Sequence, residues 1–177
     1  MKKILIFKKN SGFILITGLI ILLIMTLIIL YSMATSVSQE KTSGGLEDEN
    51  ISLQNAETAL RYAENYLFNT NVPASSFNTA CTGGLCLPSV SPPQQWQSIT
   101  WTTDTTHTIS LPAGTIPNTS IQPKSIIELL GDAPVPAGES MKMSSNNTAG
   151  AIYRITTVAF GNRNATMTQL QETYVKR

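Results

Sequence analysis

The sequence has little of the chemistry from which most active sites are built. Its 177 residues include one histidine, His107, and two cysteines, Cys81 and Cys86. A zinc site needs about four nitrogen, sulfur or oxygen ligands, so we expect no metal site. His107 has no carboxylate or cysteine at a recognisable catalytic spacing, and no phosphate-binding glycine loop occurs. These absences favour a protein that is not an enzyme and that needs no cofactor.

Charge is also scarce and unevenly placed. Only 13% of the residues are charged, and no charge occurs between Lys9 and Glu40. Residues 1–12 contain four lysines and no acid, and the rest of the chain has eight basic and eleven acidic residues. Because that remainder is net negative, we expect no basic patch and no direct nucleic-acid binding. The lysines at the start indicate a cytoplasmic N-terminus by the positive-inside rule.

An uncharged apolar run, FILITGLIILLIMTLIILY, occupies residues 13–31. At about 1.5 Å per residue, such a helix spans roughly the ~30 Å hydrocarbon core of a membrane. Three fates are compatible with it: a signal removed near Ser36, a permanent anchor, or a helix retained after a short basic leader is cut off. The run is long for the apolar region of a secretory signal, which has about 7–15 residues.

The junction between leader and apolar run is the dipeptide Gly12-Phe13, a small residue followed by a large apolar one. This junction resembles the processing site of type IV prepilins. The resemblance implies a prepilin peptidase that cuts between Gly12 and Phe13 on the cytoplasmic side and methylates the new amine. The apolar helix is then retained. A simple single-pass anchor stays open on the junction alone.

The helix is predicted to continue well beyond the apolar run, because no proline occurs before Asn71. Its weak point is Gly44-Gly45, since each glycine costs about 1 kcal/mol relative to alanine inside a helix. We expect a kink, a melted turn or a break there. Residues 51–68 then carry an apolar stripe with spacings of three and four, which predicts a helix packed on a sheet. The stripe consists of Leu53, Ala56, Leu60, Ala63 and Leu67.

These patterns divide the chain into four parts. Residues 1–12 are the basic leader, residues 13–39 the transmembrane and assembly helix, residues 40–69 the amphipathic helix of the soluble domain, and residues 70–177 the exported domain. The exported part begins with a proline-rich loop that contains Cys81 and Cys86. An even cysteine count in an exported chain predicts one disulfide. Closing so short a loop is worth about 2–3 kcal/mol at most.

Strand-like patterns follow the cysteine loop. Residues 96–101 have a ragged alternation, and residues 105–111 alternate with His107 on the apolar face. We interpret His107 as structural or exposed.

Residues 124–130 fit a short strand or one helical turn, with Gly131 as its C-cap. Residues 149–160 and 165–175, joined by a turn at 161–164, predict a long antiparallel hairpin. Periodicity does not identify the buried face of this hairpin.

Two further segments resemble the PilX minor pilins. Residues 53–67, LQNAETALRYAENYL, match the helical signature that follows the anchor in that family. Residues 153–177, which begin YRIT and end LQETYVKR, match its C-terminal strands, and the GLC segment ending at Cys86 is also similar. Together with the Gly12-Phe13 junction, these segments occur in the family's order. The resemblance implies an α+β, type IV pilin-like fold: a long N-terminal helix, transmembrane in its first half, packed on a small antiparallel β-sheet.

The same resemblance implies a function. The chain would be a minor pilin, a structural subunit that helps to prime type IV pilus assembly at or near the tip. Its partners would be the prepilin peptidase, other minor pilins, the major pilin, the inner-membrane assembly platform and a tip adhesin. It would begin in the inner membrane with a periplasmic domain and end in the pilus on the cell surface. The alternatives are a type II secretion pseudopilin and a membrane-anchored periplasmic binding protein. The sequence does not separate adhesion, twitching motility and DNA uptake.

Thr17 departs from the pattern of major pilins. Most of those have glutamate at the fifth residue of the mature chain, which here is Thr17. A carboxylate at bilayer depth costs ~2.5–3.5 kcal/mol on insertion scales unless it is paired. In pilins it pairs with the amine of a neighbouring subunit. A subunit without it need not dock beneath an earlier one, so Thr17 favours the tip. Thr17 alternatively only hydrogen-bonds its own helix backbone.

Overall fold

The computed structural model describes residues 11–117, 119, 121–133, 150–162, 164 and 166–176, so most of the expected leader lies outside the described residues. The helices are α1 (Ser11–Asn69) and α2 (Gln95–Ser98). The strands are β1 (Leu85–Cys86), β2 (Ile109–Ser110), β3 (Lys124–Asp132), β4 (Ala151–Phe160) and β5 (Met167–Lys176). Short 3-10 turns occur at Ala74–Ser76 and Thr82–Gly84. The architecture is α+β and pilin-like, with a long N-terminal helix and a small sheet.

Helix α1 passes through Gly44 and Gly45 without interruption, so the expected melted turn or break is wrong. The helix continues through the two glycines because a penalty of about 1 kcal/mol per glycine is small beside the hydrogen bonds of the flanking turns. The chain nevertheless divides into two compact units at this step. The first unit ends at Gly45 and the second begins at Leu46.

The sheet of the second unit has the order β1-β3-β4-β5, with β2 also paired to β3. Strands β4 and β5 pair over ten residues without a register shift, from Ala151–Lys176 to Phe160–Met167, which confirms the predicted hairpin. Strand β3 pairs antiparallel with both β2 and β4. Strand β1, however, pairs with β3 in parallel. The predicted small antiparallel sheet is confirmed for β2 to β5, and the parallel pairing of β1 makes the whole sheet mixed.

The segment that fits either a strand or a helical turn is strand β3, and it extends to Asp132. Gly131 is not a helix C-cap. It lies at an irregularity in the pairing with β4, where the register shifts between Leu129 and Gly131. Its φ of +137° is in the region that favours glycine, which accounts for glycine at this position.

Two predicted strands are replaced by other local structure. Residues 95–98 form helix α2, because the side chains of Gln94 and Gln97 cap its first turn reciprocally in a capping box. The strand expected at 105–111 is reduced to Ile109–Ser110. Upstream of it, the Asp104 carboxylate accepts the backbone N–H groups of Thr106 and His107, which curls the chain into a turn.

The sheet is covered on both faces, and each face has its own apolar core. One core lies against α1 and includes Ala63, Leu67, Phe77, Ile127 and Ile155. The other lies against the loops of residues 78–111 and includes the two cysteines, Trp101, Ile126 and Val158. Neighbouring residues Ile126 and Ile127 belong to different cores because successive side chains of a strand point to opposite faces. Both faces of the first hairpin strand, β4, are therefore buried.

Candidate functional site

The first unit is a helix whose apolar side chains have no covering within the unit. Phe13 is 69% exposed, and the other large apolar side chains from Ile14 to Met33 are exposed as well. By length and composition α1 can cross a membrane, and it is the one helix of the described residues that meets this test. Exposed apolar surface on this scale is unfavourable in water. The surface fits contact with lipid or with other apolar helices.

Gly12 and Phe13 lie in the first turn of α1. A Cβ added at Gly12 would meet nothing within 4 Å, so the described fold offers no packing reason for glycine there. The same holds for Gly18 in the apolar run. In contrast, Gly84 in the second unit has a φ of +77° and would bring a Cβ to 2.7 Å from the backbone nitrogen of Ile109. Packing within the described fold therefore does not account for glycine at position 12.

Thr17 is satisfied by its own helix. Its hydroxyl donates to the backbone oxygens of Phe13 at 3.0 Å and Ile14 at 3.1 Å. Thr26 and Thr35 make the same kind of bond further along α1. Position 17 thus presents no charge and no polar group that needs a second molecule, as expected for a threonine that only hydrogen-bonds its own helix backbone.

The helix face that packs on the sheet is shifted from the predicted stripe. Ala56, Ala63 and Leu67 are buried, and Leu60 is half-buried beside the core. Leu53 instead is 37% exposed, so its assignment to the packing stripe is wrong. The buried positions on that side are Ser52, Asn55 and Ala59, which a search for apolar residues passes over.

These small and polar residues bring the helix backbone close to the sheet. Ser52 shares a hydrogen bond of 2.5 Å with Thr168 of β5. The backbone oxygens of Ala56 and Ala59 accept the hydroxyls of Thr157 and Ser125 at 3.3 and 3.4 Å. A hydroxyl can reach a helix carbonyl only where the facing side chains are small. The contact between α1 and the sheet is therefore polar in its first turns and apolar from Ala63 onward.

Cys81 and Cys86 form a disulfide. Both cysteines are buried and belong to the core beneath the loops, next to Trp101. The loop is also fixed from outside, because the N–H of Gly83 donates to the backbone oxygen of Thr106 at 2.8 Å. The disulfide thus pins a covering loop to the sheet. The geometry gives it a structural part in the fold.

His107 does have a carboxylate neighbour, contrary to the sequence analysis. Its Nδ1 lies 2.8 Å from Oδ2 of Asp104, and its ring is about half exposed. Chiefly the backbone N–H of His107, with its side chain and the N–H of Thr106, lowers the pKa of Asp104 to about 2. The buried amine of Lys124 donates to the backbone oxygens of Thr102 and Asp104, and burial lowers its pKa. Asp104, His107 and Lys124 together hold the loop in place. The half-exposed ring of His107 is consistent with the interpretation that this histidine is structural or exposed.

A buried ion pair joins β3 and β4. The carboxylate of Glu128 is fully buried and accepts two hydrogen bonds of 2.8 Å from the guanidinium of Arg154. These bonds are the first cause that raises the pKa of Arg154, with burial acting in the opposite direction. Arg154 also contacts Gln94 at 3.4 Å. Sequence reasoning missed this pair, although Arg154 is the only charged residue of β4 and Glu128 stands between the apolar residues Ile127 and Leu129 of β3.

Three acids and one base lie between α1 and β5. Arg61 donates to Glu64 at 2.9 Å, rather than to Glu57 one turn earlier. Glu172 faces them from β5, because its register partner Ile155 belongs to the core beneath α1. Burial, followed by the carboxylate of Glu64, raises the pKa of Glu172, and Arg61 partly opposes this. This corner therefore has an excess of negative charge.

The described residues contain no group of three or more histidine, cysteine, aspartate or glutamate side chains that could hold a metal ion. A shallow cavity of about 240 Å³ lies beside the disulfide, lined by residues that include Thr79, Gln95, Asp104 and His107. Its polar groups are already engaged in the loop, Gln95 with the backbone oxygens of Thr79 and Leu87. The polar side chains around this cavity therefore serve to hold the loop.

Comparison with known families gives two matches that together span most of the chain. The model of the PilX N-terminal family matches residues 11–61. The model described as type IV pilus assembly protein PilX C-term matches residues 52–176. No curated protein and no solved structure matches at a significant level.

Proposed function

Since the chain belongs to the PilX family of type IV pilus assembly proteins, we propose that it is a minor pilin that primes assembly from a place at or near the fibre tip. The observation that carries the proposal is a long uncharged stretch of the first unit. From Phe13 to Gln39 it has no charged residue, and its apolar side chains are exposed. Such a helix suits a subunit that leaves lipid and enters a bundle of similar helices.

The tip placement rests on Thr17. A threonine at this position offers no carboxylate to the amine of an earlier subunit, and its hydroxyl is already bonded within α1. A subunit that makes no such pair does not need another one above it. We infer that the chain enters before the major pilin, together with other minor pilins and a tip adhesin.

The processing step is proposed at Gly12-Phe13. A glycine that no packing contact requires supports recognition by a second molecule, here the prepilin peptidase. Cleavage would remove the lysine-rich leader and leave Phe13 as the methylated N-terminus. The inner membrane would then hold the mature chain by α1 until the assembly platform transfers it to the pilus. Its domain would face the periplasm.

Replacement of Thr17 tests the tip placement. Thr17→Glu supplies the carboxylate of major pilins, so we expect the protein to move from few copies at the tip to positions along the shaft, with fewer fibres initiated. Thr17→Gln is the control of similar size without charge and should keep the native distribution. The readouts are fibre counts and immunogold labelling of fibres.

An unchanged distribution of the Thr17→Glu protein would contradict the tip placement. Deletion of the whole chain tests the wider proposal, because normal fibre production without it would contradict a role in initiation. A loss of protein secretion with normal pili would instead favour a type II secretion pseudopilin.

A further inference from the structure

Strand β5 forms one edge of the sheet. It is the last strand in the order β1-β3-β4-β5, and in the described part of the chain it pairs with β4 alone. In an antiparallel strand, the N–H and C=O groups of every second residue point away from the paired neighbour. The outer edge of β5 therefore presents backbone donors and acceptors along a ten-residue strand.

This edge has only one of the common features that block strand addition. Natural edge strands are often short, bulged, interrupted by proline or provided with inward-pointing charges. Between Met167 and Lys176 there is no proline, and the pairing with β4 has no bulge. The two charged residues of β5 are inward-pointing charges of this kind: Lys176 donates to the backbone oxygens of Leu67 and Thr70, and Glu172 faces Glu64. The edge is thus long and regular enough to pair with a strand that satisfies the Glu172 carboxylate.

A groove runs between this strand and the exposed side of α1. Its volume is about 500 Å³, and it is lined by Gln54, Glu57, Thr58, Leu60, Arg61 and Leu170. Leu60 and Leu170 give it an apolar floor, and the remaining side chains are polar. A strand edge beside a helix, with a groove between them, is the arrangement in which extended peptides bind by strand addition.

The charge beside the groove selects among such peptides. The groove lining holds Glu57 and Arg61, and the carboxylates of Glu64 and Glu172 lie close to Arg61, so three carboxylates lie near one guanidinium. Arg61 is committed to Glu64 by a contact of 2.9 Å. A cation placed between Glu64 and Glu172 would relieve their repulsion, and it would act in a partly buried place where charges are less screened.

We propose that the groove between α1 and β5 binds an extended segment of another protein, which adds a strand to the edge of β5 and places a lysine or arginine beside Glu64 and Glu172. Backbone hydrogen bonds supply the affinity, and the acidic corner supplies the preference for a basic segment. A second copy of this chain fits less well, because two such edges would bring their acidic corners together. The inference uses the second unit alone and does not depend on the role in pilus assembly.

The test uses the full chain in detergent micelles and synthetic octapeptides as probes. The first peptide alternates threonine and valine with one central lysine, and the second has glutamate in place of that lysine. We expect the lysine peptide to bind at least about tenfold more tightly at low salt. Hydrogen exchange should slow at amides of β5 when the lysine peptide is bound, because strand addition occupies them.

A double variant and its control test whether Glu64 and Glu172 cause the preference for the lysine peptide. Glu64→Gln together with Glu172→Gln should weaken binding of the lysine peptide about fivefold or more. Glu47→Gln removes the same kind of charge from an exposed position of α1 and should change it less than about twofold. All these readouts are independent of fibres, so they can fail while the proposed function stands.

Four outcomes would overturn the proposal: no binding of the lysine peptide at millimolar concentration, equal binding of the two peptides, slower exchange only outside β5, or a concentration-dependent dimer formed through β5. The last would identify a second copy of the chain as the occupant.

Discussion

The two compact units of this chain satisfy their side chains in opposite ways. In the first unit, hydroxyls such as those of Thr17 and Thr26 bond to their own helix, while the apolar side chains are left exposed. In the second unit, two cores bury the apolar side chains, and Glu128 and Arg154 satisfy each other between strands. In the described part of the first unit, these hydroxyls are hydrogen-bonded but the apolar side chains lack a covering, whereas the second unit buries its apolar side chains as well.

This difference shows where the explanation of each unit lies. The second unit is explained by contacts within the chain, so its substitutions should act on stability. The first unit needs lipid or neighbouring helices, so its substitutions should act on insertion and assembly. Predictions that separate stability from assembly therefore test the comparison, and we give them from the largest expected effect to the smallest.

Removal of one partner of the buried ion pair should have the largest effect on stability. Glu128→Ala leaves Arg154 without its carboxylate, and we expect the free energy of unfolding to fall by about 3 kcal/mol or more. Arg61→Ala, which breaks an exposed pair, should cost less than about 1 kcal/mol. Chemical denaturation of the full chain in micelles measures both.

A substitution in the first unit supplies the control for this prediction. Thr17→Val removes a hydroxyl that bonds only within α1, so the unfolding of the second unit should not change measurably. If Thr17→Val lowered the free energy of unfolding as much as Glu128→Ala does, the proposed difference between the two units would be wrong.

Replacing a glycine by alanine should change the stability in opposite directions in the two units. Gly84→Ala places a Cβ against Ile109 at a positive φ, so we expect a loss of about 2 kcal/mol in the free energy of unfolding. Gly45→Ala meets nothing within 4 Å and adds a better helix former, so the helix should gain about 0.5–1 kcal/mol. Thermal melting followed by circular dichroism distinguishes the two.

A Gly84→Ala protein as stable as the native one would show that the loop moves to admit the methyl group. A loss of stability from Gly45→Ala would contradict the open space found around position 45.

The smallest effects are expected from pH. The pKa of Asp104 is lowered to about 2, so its stabilising contribution is present above the usual aspartate range and is lost as the pH falls through about 2. Asp104→Asn should therefore cost about 1 kcal/mol at pH 7, and the difference should vanish in strong acid. Denaturant midpoints measured against pH give the profile.

Glu172 should behave in the opposite sense. Its raised pKa means that its contribution is present below the usual glutamate range and is lost as the pH rises through the raised value. Glu172→Gln should stabilise the protein at pH 7 and have no effect in acid. If Glu172→Gln instead lowered the stability at pH 7, as Asp104→Asn is expected to do, the result would contradict the acidic corner described between α1 and β5.

The sequence predicted the parts of the fold that have strong local signals. The apolar run, the helix to residue 69 and the hairpin of β4 and β5 follow from length, periodicity and β-branched composition. The family resemblance was confirmed by the matches over residues 11–61 and 52–176. These features needed no knowledge of distant contacts.

The parts that were missed depend on contacts distant in sequence. Leu53 was assigned to the buried stripe because it is apolar, yet the sheet approaches the side of Ser52, where a hydroxyl finds Thr168. The strand expected at 105–111 lost to the side chain of Asp104, which bonds two backbone N–H groups. The parallel pairing of β1 places two residues beside a strand about forty positions later, which no local pattern reports.

The central claim is that the apolar helix loses its basic leader at Gly12-Phe13 and is otherwise retained. Mass spectrometry of the chain recovered from membranes of its native host tests it most directly. The account predicts a mature protein that begins with N-methylated Phe13, and a Gly12→Val protein that keeps Met1. A native protein that still begins at Met1, or one that begins near Ser36, would contradict it.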